Sequence, residues 1–172
     1  MRAQSGMAWG VLGAVVLLQA ACQDFQPSKR SSFKGKYQVS RQALEEGRYA
    51  RAIRGYQDLL QQAGPFAPRV RLEYAHALLR DNRYLEAARE ARIVAETQKG
   101  DARLAALAVQ GTAEHEMART AMAAGQRGPA VRARLKSAQK ALKAVLKKRK
   151  VFDPLGSLAR RHKIISSELK TL

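Results

Sequence analysis

The sequence predicts an all-α protein, a short stack of helical hairpins closed by a terminal helix. Three observations predict it. Ala, Leu, Arg and Gln, all good helix formers, dominate, and β-branched residues are sparse. Apolar residues recur at i, i+3, i+4 and i+7, the stripe of a buried helix face. Gly and Pro gather between those stripes, where they break helices. The 172 residues suffice for one domain, and 46% hydrophobic with 27% charged residues is an ordinary globular balance.

The first element is the N-terminal segment. Arg2 gives it a small positive start, and residues 7–18 are an uncharged apolar run of 12 residues. A bilayer-crossing helix takes about 20, so this run suits the core of a secretory signal peptide. Ala20 and Ala21 lead into Cys22, the one cysteine in the chain. The stretch Leu18-Gln19-Ala20-Ala21-Cys22 resembles a bacterial lipoprotein signal, with Gln19 standing where that family usually has Leu. The resemblance implies a signal peptide at residues 1–21, cleavage before Cys22, and acylation of Cys22 with palmitate among the chains. That family carries three chains, and stable anchoring needs two or more. Gln23 in place of Asp implies an outer-membrane destination with the domain facing the periplasm; the inner membrane is the other possibility. The alternative for Cys22 is a buried, idle thiol behind an uncleaved anchor. A lone cysteine forms no internal disulfide, so it does not exclude an oxidising compartment.

Residues 22–35 follow, with Pro27, Ser28, Ser31, Ser32 and Gly35 and few apolar side chains. They read as a flexible tether. Residues 36–150 then hold the helical hairpins. Gly47-Arg48-Tyr49-Ala50-Arg51-Ala52-Ile53 repeats as Asn82-Arg83-Tyr84-Leu85-Glu86-Ala87-Ala88, an offset of 35. Gly47 and Asn82 tolerate the left-handed backbone that joins antiparallel helices. Ala52 and Ala87 are small where two helices cross. Tyr49, Ala52, Ile53, Tyr56, Leu59 and Leu60 form the buried stripe of one helix. Gly64-Pro65-Phe66-Ala67-Pro68 separates the two units.

These segments resemble the tetratricopeptide-repeat family over residues 36–97, whose spacing is about 34. The resemblance implies a short α-solenoid, in which no hairpin buries its apolar face alone. The third unit departs from the pattern. Residues 101–124 read as one longer helix, Gly100 as a helix stop and Asp101 as its N-cap. Gly125-Gln126-Arg127-Gly128-Pro129 is a turn, and residues 130–150 are a helix with Val131, Leu135, Ala138, Leu142, Val145 and Leu146 inward. At residues 151–172, Asp153-Pro154 opens a final helix carrying Leu155, Leu158, Ala159, Ile165 and Leu169, a cap on the stack.

The net charge is +18. From Pro129 onward there are 13 basic side chains against two acids. Lys136, Lys140, Lys143 and Lys147 share one helical face, and Lys148, Arg149 and Lys150 follow. This is either a solvated face or a dock for an anionic surface such as headgroups, cell-wall polymer or an acidic protein. Nucleic acid is disfavoured, because few aromatics interleave with the charges. In the repeat family, ligands lie along the first helices of the units. Carried over by position, that face is Tyr37, Arg41 and Leu44 in unit one and Arg69, Leu72, His76 and Arg80 in unit two. Such a mixture suits a peptide bearing acids, or equally packs against the third hairpin.

No catalytic constellation stands out, so no enzyme and no cofactor beyond the lipid are expected. His76, His115 and His162 are far apart, and Arg119 occupies the place a zinc helix begun at His115-Glu116 would give its second His. Phosphate-loop and nucleophile-elbow patterns are absent. Glu45-Glu46 and Glu114/Glu116 are near neighbours that do not face one another on a helix, so they make poor acid/base pairs. The expected role is a membrane-anchored periplasmic scaffold for envelope proteins of a secretion, pilus or motility assembly. The alternative is a polyanion-binding helical protein acting through Lys136 to Lys150.

Overall fold

The computed structural model describes residues 32–172. The signal peptide, Cys22 and most of the tether lie outside the described residues. Within them the chain is all-α, with no strand. The helices are α1 (Phe33–Glu45), α2 (Tyr49–Leu60), α3 (Ala67–Arg80), α4 (Tyr84–Thr97), α5 (Gly100–Ala123), α6 (Pro129–Leu146), α7 (Arg149–Phe152) and α8 (Ser157–Thr171).

Local chemistry sets the boundaries. The Ser32 hydroxyl accepts the Gly35 amide at 3.1 Å, an N-cap that starts α1 at Phe33. Residues 33–35, which the sequence reading assigned to a tether, are therefore helical. Gly47 and Asn82 sit at φ 75° and 61°, between α1 and α2 and between α3 and α4. Both turns close alike: the Arg48 amide donates to the Ala43 carbonyl at 2.8 Å, and Arg83 to Leu78 at 2.9 Å. Gly125, at φ 79°, starts the α5–α6 connection the same way, with the Gln126 amide on the Ala121 carbonyl at 3.0 Å. Gly64–Phe66 forms a short 3₁₀ turn that delivers the chain into α3.

Three boundaries differ from the sequence expectation. Asp101 is not an N-cap: Lys99 holds the extended cap position, and Asp101, in the first turn, pairs with Lys148 at 2.6 Å. α6 stops at Leu146, so Lys147 and Lys148 lie in a break before α7 and do not end the helix. The final helix starts at Ser157, and Leu155, expected inward, is 89% exposed in the turn before it. Gly156 at φ 74° bends that turn, and Pro154 and Leu155 stay outside the helical register.

From α1 to α6 each helix packs on the next, α3 also touches α5, and α8 lies on α6 and α5. One apolar cluster joins α1 to α4 around Ile53, Tyr56, Leu59, Val70 and Leu78. A second joins α5, α6 and α8 around Val131, Leu135, Leu142 and Ile165. A smaller one, Val94, Ala95 and Ala106, bridges α4 and α5. α5 has neighbours on several sides and buries Gln110, Glu114 and His115 with Ala106, Gly111, Ala113 and Ala118. A Cβ on Gly111 would meet Leu142 Cγ at 2.9 Å and the Ala138 carbonyl at 3.1 Å, so glycine there lets α5 and α6 close up.

Candidate functional site

α1 and α3 bring most of the carried-over residues onto one face. Arg69, Glu73, His76 and Arg80 repeat at helical spacing along α3, opposite Tyr37, Arg41 and Leu44 on α1. Arg41, Leu44, Glu45, Glu73, His76 and Arg80 line a solvent-open hollow of about 240 Å³. Arg41 donates through Nε to Glu45 at 2.8 Å and through Nη1 to Glu73 at 3.1 Å. The Glu45 hydrogen bond, aided by the Glu73 charge, holds this guanidinium firmly protonated. Arg69 lies 5.7 Å from the Tyr37 ring centre and donates Nε to its hydroxyl, which donates on to Glu73 at 3.3 Å. Arg80 lies 5.5 Å from the Tyr49 ring centre and donates Nη2 to its hydroxyl at 2.8 Å. An arginine stacked on a ring keeps the rest of its N–H edge open to a carboxylate.

Behind this face Tyr56 is fully buried, with its ring edge-on to Tyr37 at 6.1 Å. Its hydroxyl has no hydrogen-bond partner, and burial pushes the phenol up. Leu72 does not join the hollow: it packs on the Val94–Ala106 cluster between α4 and α5. Glu45 and Glu73 do join it, Tyr49 holds Arg80 at its edge, and the sequence reading missed all three as site residues. The spacing from Arg69 through His76 to Arg80 pointed to Glu73 on the same side, one residue along from Leu72.

Lys136, Lys140, Lys143 and Lys147 are exposed on α6 and just beyond it, as is Lys150 in α7. Lys148 is drawn to Asp101 at 2.6 Å, and the Arg149 charge acts on Asp153. The seven basic residues thus divide into an open row and a pair already engaged within the fold.

The buried His115, 1% exposed, ties α8 to α5. Arg161 Nη1 reaches His115 Nδ1 at 2.9 Å and Glu116 Oε1 at 2.6 Å, and His115 Nε2 reaches Glu168 at 2.9 Å. Arginine only donates, so Nδ1 accepts and the ring is neutral, with its Nε2–H donating to Glu168. Burial pushes the imidazole down, against the opposing pull of Glu168. Carboxylates end this chain of hydrogen bonds on both sides, so it fastens helices and activates no nucleophile.

Compared with family models, with curated proteins and with solved structures, the chain matches none.

Among the described residues, no group of three or more His, Cys, Asp or Glu side chains could hold a metal ion. Among the same residues, no helix is long and apolar enough to cross a membrane. The α1/α3 face offers two guanidinium groups held over tyrosine rings and two carboxylates, with the buried Leu44 beneath.

Proposed function

We propose that this chain is a lipid-anchored, non-catalytic scaffold of the bacterial envelope, built from tetratricopeptide-like hairpins. The observation that carries it is the α1/α3 face, where Tyr37, Arg41, Arg69, His76 and Arg80 converge from helices 35 residues apart in register. The matching left-handed turns at Gly47 and Asn82 support a repeat origin for that convergence. The stacked Arg69 and Arg80 would take carboxylates of an extended partner segment, and Glu45 and Glu73 limit the site to partners that also donate. Anchoring follows from Cys22 and the apolar run before it, with residues 23–31 as the lead to the domain.

Intact mass of the chain extracted from membranes tests the anchor. A chain that begins at Cys22 and carries acyl groups is expected, with Cys22→Ala shifting to the soluble fraction. An unlipidated chain, or a Cys22→Ala variant held as firmly in the membrane, would reject it. A photo-crosslinker placed at Arg69 tests the face: a discrete adduct, lost on Arg80→Glu, is expected.

The exposed row Lys136, Lys140, Lys143 and Lys147 favours a second reading, binding to an anionic polymer or headgroup surface. Charge reversal of the four separates the two, because adduct formation at the α1/α3 face then survives.

A further inference from the structure

α4 and α6 each pack along α5 and leave a trench between them. It consists of depressions of about 470, 220 and 310 Å³, following α5 from its C-terminal end toward its N-terminal end. Neighbouring depressions share walls: Leu85, Met117 and Arg134 line the first two, and Arg92, which reaches from α4 to Glu114 on α5, lines the last two. At 1.5 Å per residue the floor from Arg103 to Ala121 is about 30 Å long, the span of a helix of about 20 residues.

The trench has three chemical features. Its inner surface is apolar, with Met117, Leu107 and the 60% exposed Leu85. Its rim is mainly cationic: against Glu86, already paired with Arg83, and Glu96 on α4 stand four cations, Arg89 on α4, Arg103 on α5, and Arg134 and Lys140 on α6. None of these four forms an ion pair among the described residues. The third feature is Glu114 in the wall, 3% exposed. Its Oε1 accepts from Arg92 at 2.8 Å and Gln110 at 3.0 Å, while its buried Oε2 has no hydrogen-bond partner. A buried acceptor left without a donor costs stability, and this oxygen lies beneath the trench surface, so Glu114 serves to hold Arg92 and Gln110 in the wall.

We propose that this trench docks an acidic amphipathic helix of a partner protein. An apolar stripe at i, i+3, i+4 and i+7 covers Leu85, Met117 and Leu107. Asp and Glu on its flanks meet Arg89, Arg134, Lys140 and Arg103. Other occupants fit worse. A second copy carries the same +18 charge and the same rim. A bilayer cannot follow a concave floor. Nucleic acid would find Tyr84 as the ring in the lining, too little for stacking. The trench lies apart from the α1/α3 hollow and needs no lipid anchor, so the two proposals fail separately.

The probe is a fluorescein-labelled helical peptide of roughly 18 residues with Leu on one face and Glu on both flanks. It is titrated with the full-length chain and read by anisotropy. Saturable binding is expected. Arg89→Glu with Arg134→Glu weakens it by about tenfold or more, whereas Arg51→Glu with Arg54→Glu, on α2, makes the same charge change and weakens it by less than about threefold. A peptide with Lys for Glu binds the reversed trench and not the native one, which shows that the variant is folded and its surface intact. Absence of saturable binding overturns the proposal, as does equal weakening by the two pairs. So does equal affinity for a scrambled peptide of the same composition. Binding of anionic phospholipid vesicles that depends on Arg89 and Arg134, with no peptide binding, would assign the trench to lipid instead.

Discussion

Asp153 shows how one side chain can set a boundary. It is 2% exposed, and its carboxylate accepts the Leu158 and Ala159 amides, each at 2.9 Å, and the Ser157 hydroxyl at 3.2 Å. Burial alone would raise this carboxyl. The hydrogen bonds and the Arg149 charge outweigh it and hold the group below its ordinary value. An anion held on the first amides of a helix stabilises it. Asp153→Ala is therefore expected to cost about 1–2 kcal/mol in urea unfolding at neutral pH. Because the folded group titrates below the unfolded one, its contribution is complete above about pH 4 and is lost as pH falls through the folded value. The gap between native and variant stabilities should close over that acid window; a gap constant with pH would remove Asp153 from the α8 cap. The sequence made Asp153 a helix opener, but it could not say that Gly156 would fold the chain back and leave Leu155 outside.

The hairpin turn is the unit at the next scale. Gly47 and Asn82 hold the same left-handed geometry, and a Cβ on Gly47 would meet only the Tyr49 ring at ordinary contact distance. The cost of an alanine there is the backbone's alone. Gly47→Ala and Asn82→Ala should each lower stability by about 1 kcal/mol, and Asn82→Gly by less than Asn82→Ala. Thermal unfolding of the three variants checks this, and an Asn82→Ala variant as stable as the native chain would count against it. These turns were legible because left-handed backbone selects Gly and Asn. α5 was less legible. It packs against α3, α4, α6 and α8, so no single stripe marks its buried side, and nothing in the local pattern separates the buried Glu114 and His115 from surface residues.

Across the whole molecule the core is divided. The first cluster reaches from α1–α4 onto Ala113 and Met117 of α5, and the second starts at Ala118 of the same helix, so α5 is the seam between two apolar clusters. Damage at one end should stay there. Ile165 is fully buried against α6, and Ile165→Ala is expected to cost about 2–5 kcal/mol. Hydrogen exchange followed by mass spectrometry should show faster exchange in α5, α6 and α8 than in α1 and α2. Uniform acceleration along the chain would mean that the clusters unfold as one.

The sequence by itself determined the helices, their approximate lengths and the inward side of most of them, because periodicity and turn chemistry act over a few residues. It also determined the uneven spread of charge. Only the tertiary structure decided which polar groups meet. Glu73 with Arg41, Arg161 with His115 and Lys148 with Asp101 are each more than thirty residues apart, and their pairing depends on how helices cross. The trench is of the same kind: its walls come from α4 and α6, and it exists because both pack on α5 while standing apart from each other.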